Sequence, residues 1–366
     1  MNPKTIPLAK TRFDLLPDEY RGLREEVLIE RIKEKKALLG RRLVFLAHHY
    51  QRMEIVELSD FRGDSFGLSK IAAEQKDAEF ILFCGVHFMA ESADILRQKG
   101  QIVLHPNTSA GCPLADMAHI SDVLSAWDKI TSICGNTVVP VTYMNSRASL
   151  KAFCGRNGGT VCTSTNAGRV FDWAFKRGEK IFFFPDEHLG RNTALKKGIK
   201  RDKIIVWNPE EKLGGNTAEA IRKAEVILWK GYCHVHTRFK PEDVQNARKK
   251  YPDAKVVVHP ECREEVVALA DADGSTEFIV KYTNSQPPGS TVIIGTEVNL
   301  IARLAKENPD KTVLELKRSL CPNMFRISLN HVLWTLDNPG YVNVIRVPDE
   351  IKRDAKIALQ RMLEIV

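Results

Sequence analysis

Leu43-Val44-Phe45-Leu46-Ala47-His48-His49-Tyr50-Gln51 is an apolar run that ends in a block of polar residues. A continuous apolar stretch of this length followed by a helix-like segment is the signature of a strand buried on both faces in a parallel sheet. The same unit recurs along the chain. Phe80-Ile81-Leu82-Phe83 and Ile102-Val103-Leu104 complete a first group. Val138-Val139-Pro140-Val141, Thr160-Val161-Cys162, Ile181-Phe182-Phe183-Phe184 and Ile204-Ile205-Val206 make a second. Val226-Ile227-Leu228, Val256-Val257-Val258, Phe278-Ile279-Val280 and Val292-Ile293-Ile294 make a third. Strand runs alternating with helical patterns define an α/β class with parallel strands.

The polar ends of these runs also correspond. His48-His49-Tyr50-Gln51, Thr142-Tyr143-Met144-Asn145 and Gly231-Tyr232-Cys233-His234 close the first strand of each third. A hydroxyl with small neighbours precedes a helix at Gly63-Asp64-Ser65, Thr163-Ser164-Thr165 and Gly274-Ser275-Thr276. Gly85-Val86-His87, Asp186-Glu187-His188 and Gly295-Thr296-Glu297-Val298-Asn299 each open another helical segment. Three related α/β domains of about ninety residues each are expected, near the usual domain minimum. The boundaries read as an N-terminal extension and helix over 1–40, a first domain over 41–115 plus 321–366, a second over 116–225 and a third over 226–320. The helix of the extension spans about Arg21 to Leu39, with Leu23, Val27, Leu28 and Ile32 at helical spacing and Gly40 at its end. The tail, with Ile357, Leu359, Met362 and Leu363 at helical spacing, is expected to return to the first domain.

Composition narrows the function class. The 366 residues are 43% hydrophobic and 27% charged, an ordinary globular balance. The start, Met1 to Tyr20, carries prolines and charges in place of the apolar core of a signal peptide, and no run is long enough to span a membrane. A cytoplasmic setting is expected, where thiols stay reduced and eight cysteines serve as buried thiols or metal ligands. The net charge of +8 comes without a basic block interleaved with aromatics; an anionic small molecule explains it as well as nucleic acid does, and so does solubility, so charge alone decides nothing. Neither G-x-G-x-x-G nor a Walker A sequence is present, which argues against a bound dinucleotide or nucleoside triphosphate.

In open parallel sheets ligands sit at the carboxyl ends of the strands, where this chain collects its polar residues. Cys112 lies between Gly111 and Pro113, Cys233 follows Gly231-Tyr232, and Cys321 precedes Pro322-Asn323. These loop settings set them apart from Cys84 and Cys162 in strand runs, Cys134 in a connection and Cys154 after a helix, while Cys262, just past a strand end, stays open as a ligand. Three thiolates without a fourth suit an iron-sulfur cluster with one iron left open, since a closed structural site takes four ligands. The Ser/Thr groups at strand-to-helix turns act singly as N-caps; gathered at one centre, they suit phosphate or carboxylate. His48 with Tyr50, Tyr143 with Asn145, and His259 with Glu261 are two apart at strand ends, so each pair faces one way. Glu261 is the general acid/base candidate. His234-Val235-His236 offers a competing reading, a zinc-dependent hydrolase built on a His-x-His pair, and a scaffolding protein of three repeats would leave the polar strand ends unexplained.

Ala47-His48-His49-Tyr50-Gln51, Gly63-Asp64-Ser65, Ala110-Gly111-Cys112-Pro113, Tyr143-Met144-Asn145, Cys162-Thr163-Ser164-Thr165-Asn166-Ala167, Val258-His259-Pro260-Glu261-Cys262, Gly274-Ser275-Thr276 and Cys321-Pro322-Asn323-Met324 together resemble the quinolinate synthases of the longer bacterial type, over about Leu43 to Asn330. The resemblance implies three α/β domains about a pseudo-threefold axis and one [4Fe-4S] cluster held by Cys112, Cys233 and Cys321. It implies condensation of iminoaspartate with dihydroxyacetone phosphate to quinolinate, with loss of phosphate and two waters, in NAD biosynthesis. An aspartate oxidase or dehydrogenase is the implied source of iminoaspartate. On the matching positions, His48, Ser65, Tyr143, Asn145, Ser164, His259, Glu261 and Thr276 are expected to contact substrate, and Glu261, Tyr50, His48, Tyr143 and His259 to serve catalysis. The open iron is expected to act as a Lewis acid in dehydration. Two departures stand out: Cys154-Gly155-Arg156-Asn157-Gly158-Gly159 makes a longer connection than shorter members carry, and the C-x-x-C that some members have near the last cysteine is missing.

Overall fold

The computed structural model describes residues 16–365; residues 1–15 of the expected extension, and Val366, lie outside them. The described strands are β1 (Leu43–His48), β2 (Phe61–Gly63), β3 (Phe80–Cys84), β4 (Ile102–Leu104), β5 (Val138–Tyr143), β6 (Thr160–Cys162), β7 (Lys180–Phe184), β8 (Ile204–Trp207), β9 (Val226–Trp229), β10 (Lys255–Val258), β11 (Ala272–Asp273), β12 (Thr291–Gly295), β13 (Thr312–Glu315) and β14 (Val344–Ile345). They form three sheets, ordered β14-β4-β3-β1-β2, β6-β5-β7-β9-β8 and β11-β10-β12-β13. Every pairing is parallel except β14 with β4.

One plan runs through all three sheets. The founding strand (β1, β5, β10) is flanked on one side by a short strand (β2, β6, β11), and on the other by a third (β3, β7, β12) and then a fourth (β4, β9, β13). The first two sheets add an outer strand, β14 and β8. Residues of β1, β3, β5 and β7 are buried along their whole length, which is why they read as unbroken apolar runs.

Four features differ from the sequence reading. Val226–Trp229, expected to open the third domain, pairs with β7 and β8 and belongs to the second sheet. The founding tip of the third unit is therefore His259-Pro260-Glu261 after β10, and Gly231-Tyr232-Cys233-His234 follows a fourth strand. Phe278-Ile279-Val280 is not a strand but part of the helix Thr276–Ser285: the Ser275 hydroxyl accepts the Phe278 N–H at 3.3 Å and starts that helix, in which Ile279 is buried and Phe278 exposed. Three apolar residues cannot by themselves separate strand from helix. The short strands β2, β11, β13 and β14 carried too little apolar pattern to be read.

The fourth concerns the tail. Strand β14 returns to the first sheet, and the helix Leu329–Asp337 packs on the helix Glu25–Leu39, which Gly40 ends at φ +51°. The last helix, Asp349–Glu364, lies instead chiefly against the helix Ala148–Arg156 and β6 of the second unit, with a smaller contact to the helix His87–Leu96. A Cβ on Gly155 would overlap the Asp354 carbonyl, so glycine there lets the two helices close. Arg361 donates to the Gly159 carbonyl at 2.7 Å and Thr160 Oγ1 to that of Ala358 at 3.2 Å. The longer connection at Cys154–Gly159 is thus a helix end covered by the C-terminal helix.

Candidate active site

The carboxyl ends of the three sheets meet around one cavity. It is lined by His48, Tyr50 and Ser65 from the first unit, Tyr143, Asn145 and Ser164 from the second, and His259, Glu261 and Thr276 from the third. Cys112, Cys233 and Cys321 border the same space. Every catalytic, substrate and cluster residue that the family resemblance implied therefore reaches one cavity.

The founding-strand tips repeat one local geometry. His48 Nδ1 accepts the N–H of Tyr50 at 3.2 Å, and His259 Nδ1 accepts the N–H of Glu261 at 3.3 Å. In each, the backbone two residues on fixes the ring tautomer and turns it towards the centre. Tyr143 Oη donates to Glu261 Oε1 at 2.5 Å, while Glu261 Oε2 is buried with no nitrogen or oxygen partner among the described residues. Tyr50 Oη lies 2.6 Å from Thr296 Oγ1 and 3.4 Å from His236 Nε2, and the His236 ring stacks on His259 with centroids 4.3 Å apart. Tyr50, His236, His259, Glu261 and Tyr143 thereby form a continuous polar arc across all three units.

Burial sets the protonation states. It pushes Glu261 up to about 7, against the hydrogen bonds from Tyr143 and Cys233. It holds His259 down at about 3, and His48 and His236 well below the usual imidazole range. Tyr50 and Tyr143 are raised well above 10, chiefly by burial. Near neutral pH the arc thus combines neutral imidazoles and protonated phenols with one carboxyl poised to gain or lose a proton.

The hydroxyls sit where helices start. Ser65 and Thr276 are the first residues of the helices Ser65–Glu74 and Thr276–Ser285, whose caps Asp64 and Ser275 accept the N–H of Gly67 at 2.7 Å and of Phe278 at 3.3 Å. Ser164 stands in the turn before the helix Ala167–Phe175. Hydroxyls with helix N-termini behind them suit anionic groups.

Each bordering cysteine follows a fourth strand: Cys112 after β4, Cys233 after β9, Cys321 after β13. Their loops hold one another in place. Trp229 Nε1 donates to the Met117 carbonyl at 2.8 Å, joining the second loop to the first. Ser319 Oγ donates to the Val235 carbonyl at 2.7 Å, joining the third to the second, and Glu297 accepts the N–H of Cys321 at 3.4 Å. All three thiols are free and half-buried, and burial raises the pKa of each. Three thiols bordering one cavity, beside an apolar wall of Val86, Phe88, Met89, Val235 and Met324, would lose their protons to bind iron as thiolates, so the donor set fits an iron-sulfur cluster. Cys84, Cys154, Cys162 and Cys262 are buried away from the cavity, which removes Cys262 from the ligand candidates, and Cys134 lies elsewhere.

His234 and His236 part company. His236 faces the cavity, with its ligand atom among those of Cys233 and Glu261 within 4.8 Å of one another, whereas His234 does not line it. The two-residue spacing that suggested a hydrolase pair falls in the turn after Cys233, where alternate residues need not face alike. His236 and Thr296 are site residues that sequence reasoning assigned elsewhere or passed over; the place of Thr296 in a third-strand tip, the counterpart of Gly85-Val86-His87 and Asp186-Glu187-His188 in the other units, was the signal available.

Comparison with known proteins agrees with this architecture. The family model described as Quinolinate synthetase A protein matches residues 29–208 and 194–364. Proteins named quinolinate synthase from Acidobacterium capsulatum, Corynebacterium glutamicum and Bacillus cereus are 51%, 48% and 46% identical to this chain, covering 95%, 99% and 96% of it and 95%, 93% and 97% of their own lengths. Sheet plan, cavity and similarity over nearly the full length lead to one assignment: this chain belongs to the quinolinate synthase family.

Proposed function

We propose that this chain is an enzyme that makes quinolinate, condensing iminoaspartate with dihydroxyacetone phosphate and releasing phosphate and two waters, in de novo NAD biosynthesis. The observation that carries this reading is the meeting of three cysteines, three hydroxyls at helix starts and a polar arc centred on Glu261 in one cavity of a member of the family.

Cys112, Cys233 and Cys321 would hold one [4Fe-4S] cluster, whose fourth iron, when bound, supplies Lewis acidity towards a hydroxyl or carbonyl oxygen. Ser65, Ser164 and Thr276, with Asn145, bind the phosphate and carboxylates. Glu261, near its midpoint at neutral pH, takes a proton from carbon or returns one to a leaving oxygen, and Tyr143 orients it through the 2.5 Å hydrogen bond. Tyr50 donates through its phenol, held by Thr296 and His236. Neutral His48 and His259 hydrogen-bond substrate oxygens without adding charge. The reaction is balanced without an oxidant, so the chain needs no nicotinamide or flavin site. The cytoplasm, where thiols stay reduced, is the setting we assign, and an aspartate oxidase or dehydrogenase the source of iminoaspartate. Among the described residues no helix is long and apolar enough to cross a membrane.

The test is direct: protein purified without oxygen, supplied with dihydroxyacetone phosphate and with iminoaspartate formed from oxaloacetate and ammonia, is assayed for quinolinate by chromatography. Quinolinate formed in proportion to enzyme supports the reading. Its absence from a preparation with a full iron and sulfide content overturns it.

A further inference from the structure

Asn145 stands at the apex of a three-residue turn at the end of β5. The Ser146 N–H donates to the Met144 carbonyl at 2.8 Å, closing an i to i+2 ring about Asn145, and the Ser146 hydroxyl donates to the Tyr143 carbonyl at 2.7 Å. Beneath this turn lies a side chain that the chemistry above does not use. Lys151, in the helix Ala148–Arg156, is fully buried, and its ammonium donates to the Met144 carbonyl at 2.9 Å and to the Ser146 carbonyl at 2.5 Å. One nitrogen thus bridges the two carbonyls on either side of Asn145. On its other side the ammonium lies 5.5 Å from the centre of the Phe88 ring, which itself lines the cavity.

No carboxylate accepts from this ammonium among the described residues; Glu91, whose charge acts on it, is engaged by the Ala148 N–H at 3.1 Å. Burying a cation against neutral carbonyls costs several kcal/mol, and an apolar side chain of similar volume usually serves stability as well or better. What an apolar residue cannot do is hold two carbonyls at a fixed separation. We propose that Lys151 is a positioning residue for substrate binding, clamping the Met144-Asn145-Ser146 turn so that Asn145 and the adjoining Tyr143 present their polar atoms to the cavity. The inference rests on the proposed function and extends it to a residue behind the cavity wall.

The experiment is a double-mutant cycle in cluster-loaded protein. Lys151→Met is expected to keep the iron and sulfide content and to lower kcat/KM for quinolinate formation by roughly 10- to 100-fold, mainly through KM, as a displacement on the order of an ångström in a binding group does. Lys151→Gln, which keeps an amide donor, should recover part of the loss. In an Asn145→Ala background Lys151→Met should cost less than about threefold more, because the residue it positions is already gone. Fully additive losses, an unchanged kcat/KM, or failure of both Lys151 variants to fold would overturn the proposal. A crystal structure of Lys151→Met gives a readout independent of turnover. If the parent makes no quinolinate but Asn145 leaves the cavity in that structure, the functional reading falls and the clamp stands; an Asn145 that has not moved overturns the clamp.

Discussion

The loops after the fourth strands and the tips after the founding strands are both repeated three times, but they are repeated differently. The fourth-strand loops carry the same residue in every unit, Cys112, Cys233 and Cys321. The founding tips keep only a spacing, and fill it with His48 and Tyr50, then Tyr143 and Asn145, then His259 and Glu261. Two of these tips even share the hydrogen bond from the backbone to the histidine Nδ1, yet present a phenol in one case and a carboxyl in the other. The fold supplies equivalent positions. At the fourth-strand loops equivalent residues occupy them, as a threefold ligand would require; at the founding tips they diverge, as an asymmetric reaction would require.

The largest effect tests the equal half of this comparison. Replacing any one of Cys112, Cys233 or Cys321 by alanine should abolish both quinolinate formation and the roughly four iron and four sulfide per chain expected of the parent. Cys154→Ala, buried behind the second sheet, should keep them. A parent-like iron count in any of the first three would break the equivalence. The next tests the unequal half: Glu261→Gln should lower kcat by about 10²- to 10⁴-fold with iron retained, the range for loss of a general acid or base. Tyr50→Phe should cost less, because Thr296 and His236 remain at its position. Equal losses at the two tips would mean that they had not diverged in role.

Smaller effects sharpen the boundary between site and support. Gly155→Ala should destabilise the chain by about 1–3 kcal/mol by forcing the C-terminal helix off Asp354, read as a lower Tm, while kcat per folded molecule is unchanged. His105, just past β4, is a strand-end histidine that faces the core: it is fully buried, hydrogen-bonded to the Gly85 carbonyl at 3.1 Å, and held by burial at about 3. The unfolded chain protonates it near pH 6.5, so its contribution is full above that pH and falls as the pH drops towards 3. The slope is at most about 1.4 kcal/mol per pH unit. His105→Gln should flatten the pH dependence of Tm in that window, and an unchanged dependence would count against a buried neutral imidazole.

Much of the site was legible because its residues lie at the ends of apolar runs that only a buried parallel strand explains. Once Leu43–Leu46 is a strand, His48 and Tyr50 fall at its carboxyl end, and the same reasoning brings in Asn145 and Glu261, although Tyr50, Asn145 and Glu261 lie just past their strands, where turns aim them. Unit boundaries were less legible. Val226–Leu228 has the pattern of any central strand, and nothing local states whether it pairs with β7 or begins a new sheet. Phe278–Val280 shows the same limit in reverse, an apolar triplet whose helix was set by the Ser275 cap.

By itself, then, the sequence determined the α/β class, the three recurring units, the three loop cysteines and the polar pairs, because each is encoded within a few residues by periodicity or by glycine and proline. Only the tertiary structure decided what depends on distant partners. It turned His236 towards Tyr50 and His259 and left His234 outside. It laid the C-terminal helix on Gly155 of the second unit. And it set the Lys151 ammonium under Asn145. Burial, which moves Glu261 to about 7, is likewise a property of the closed cavity and of no local stretch of chain.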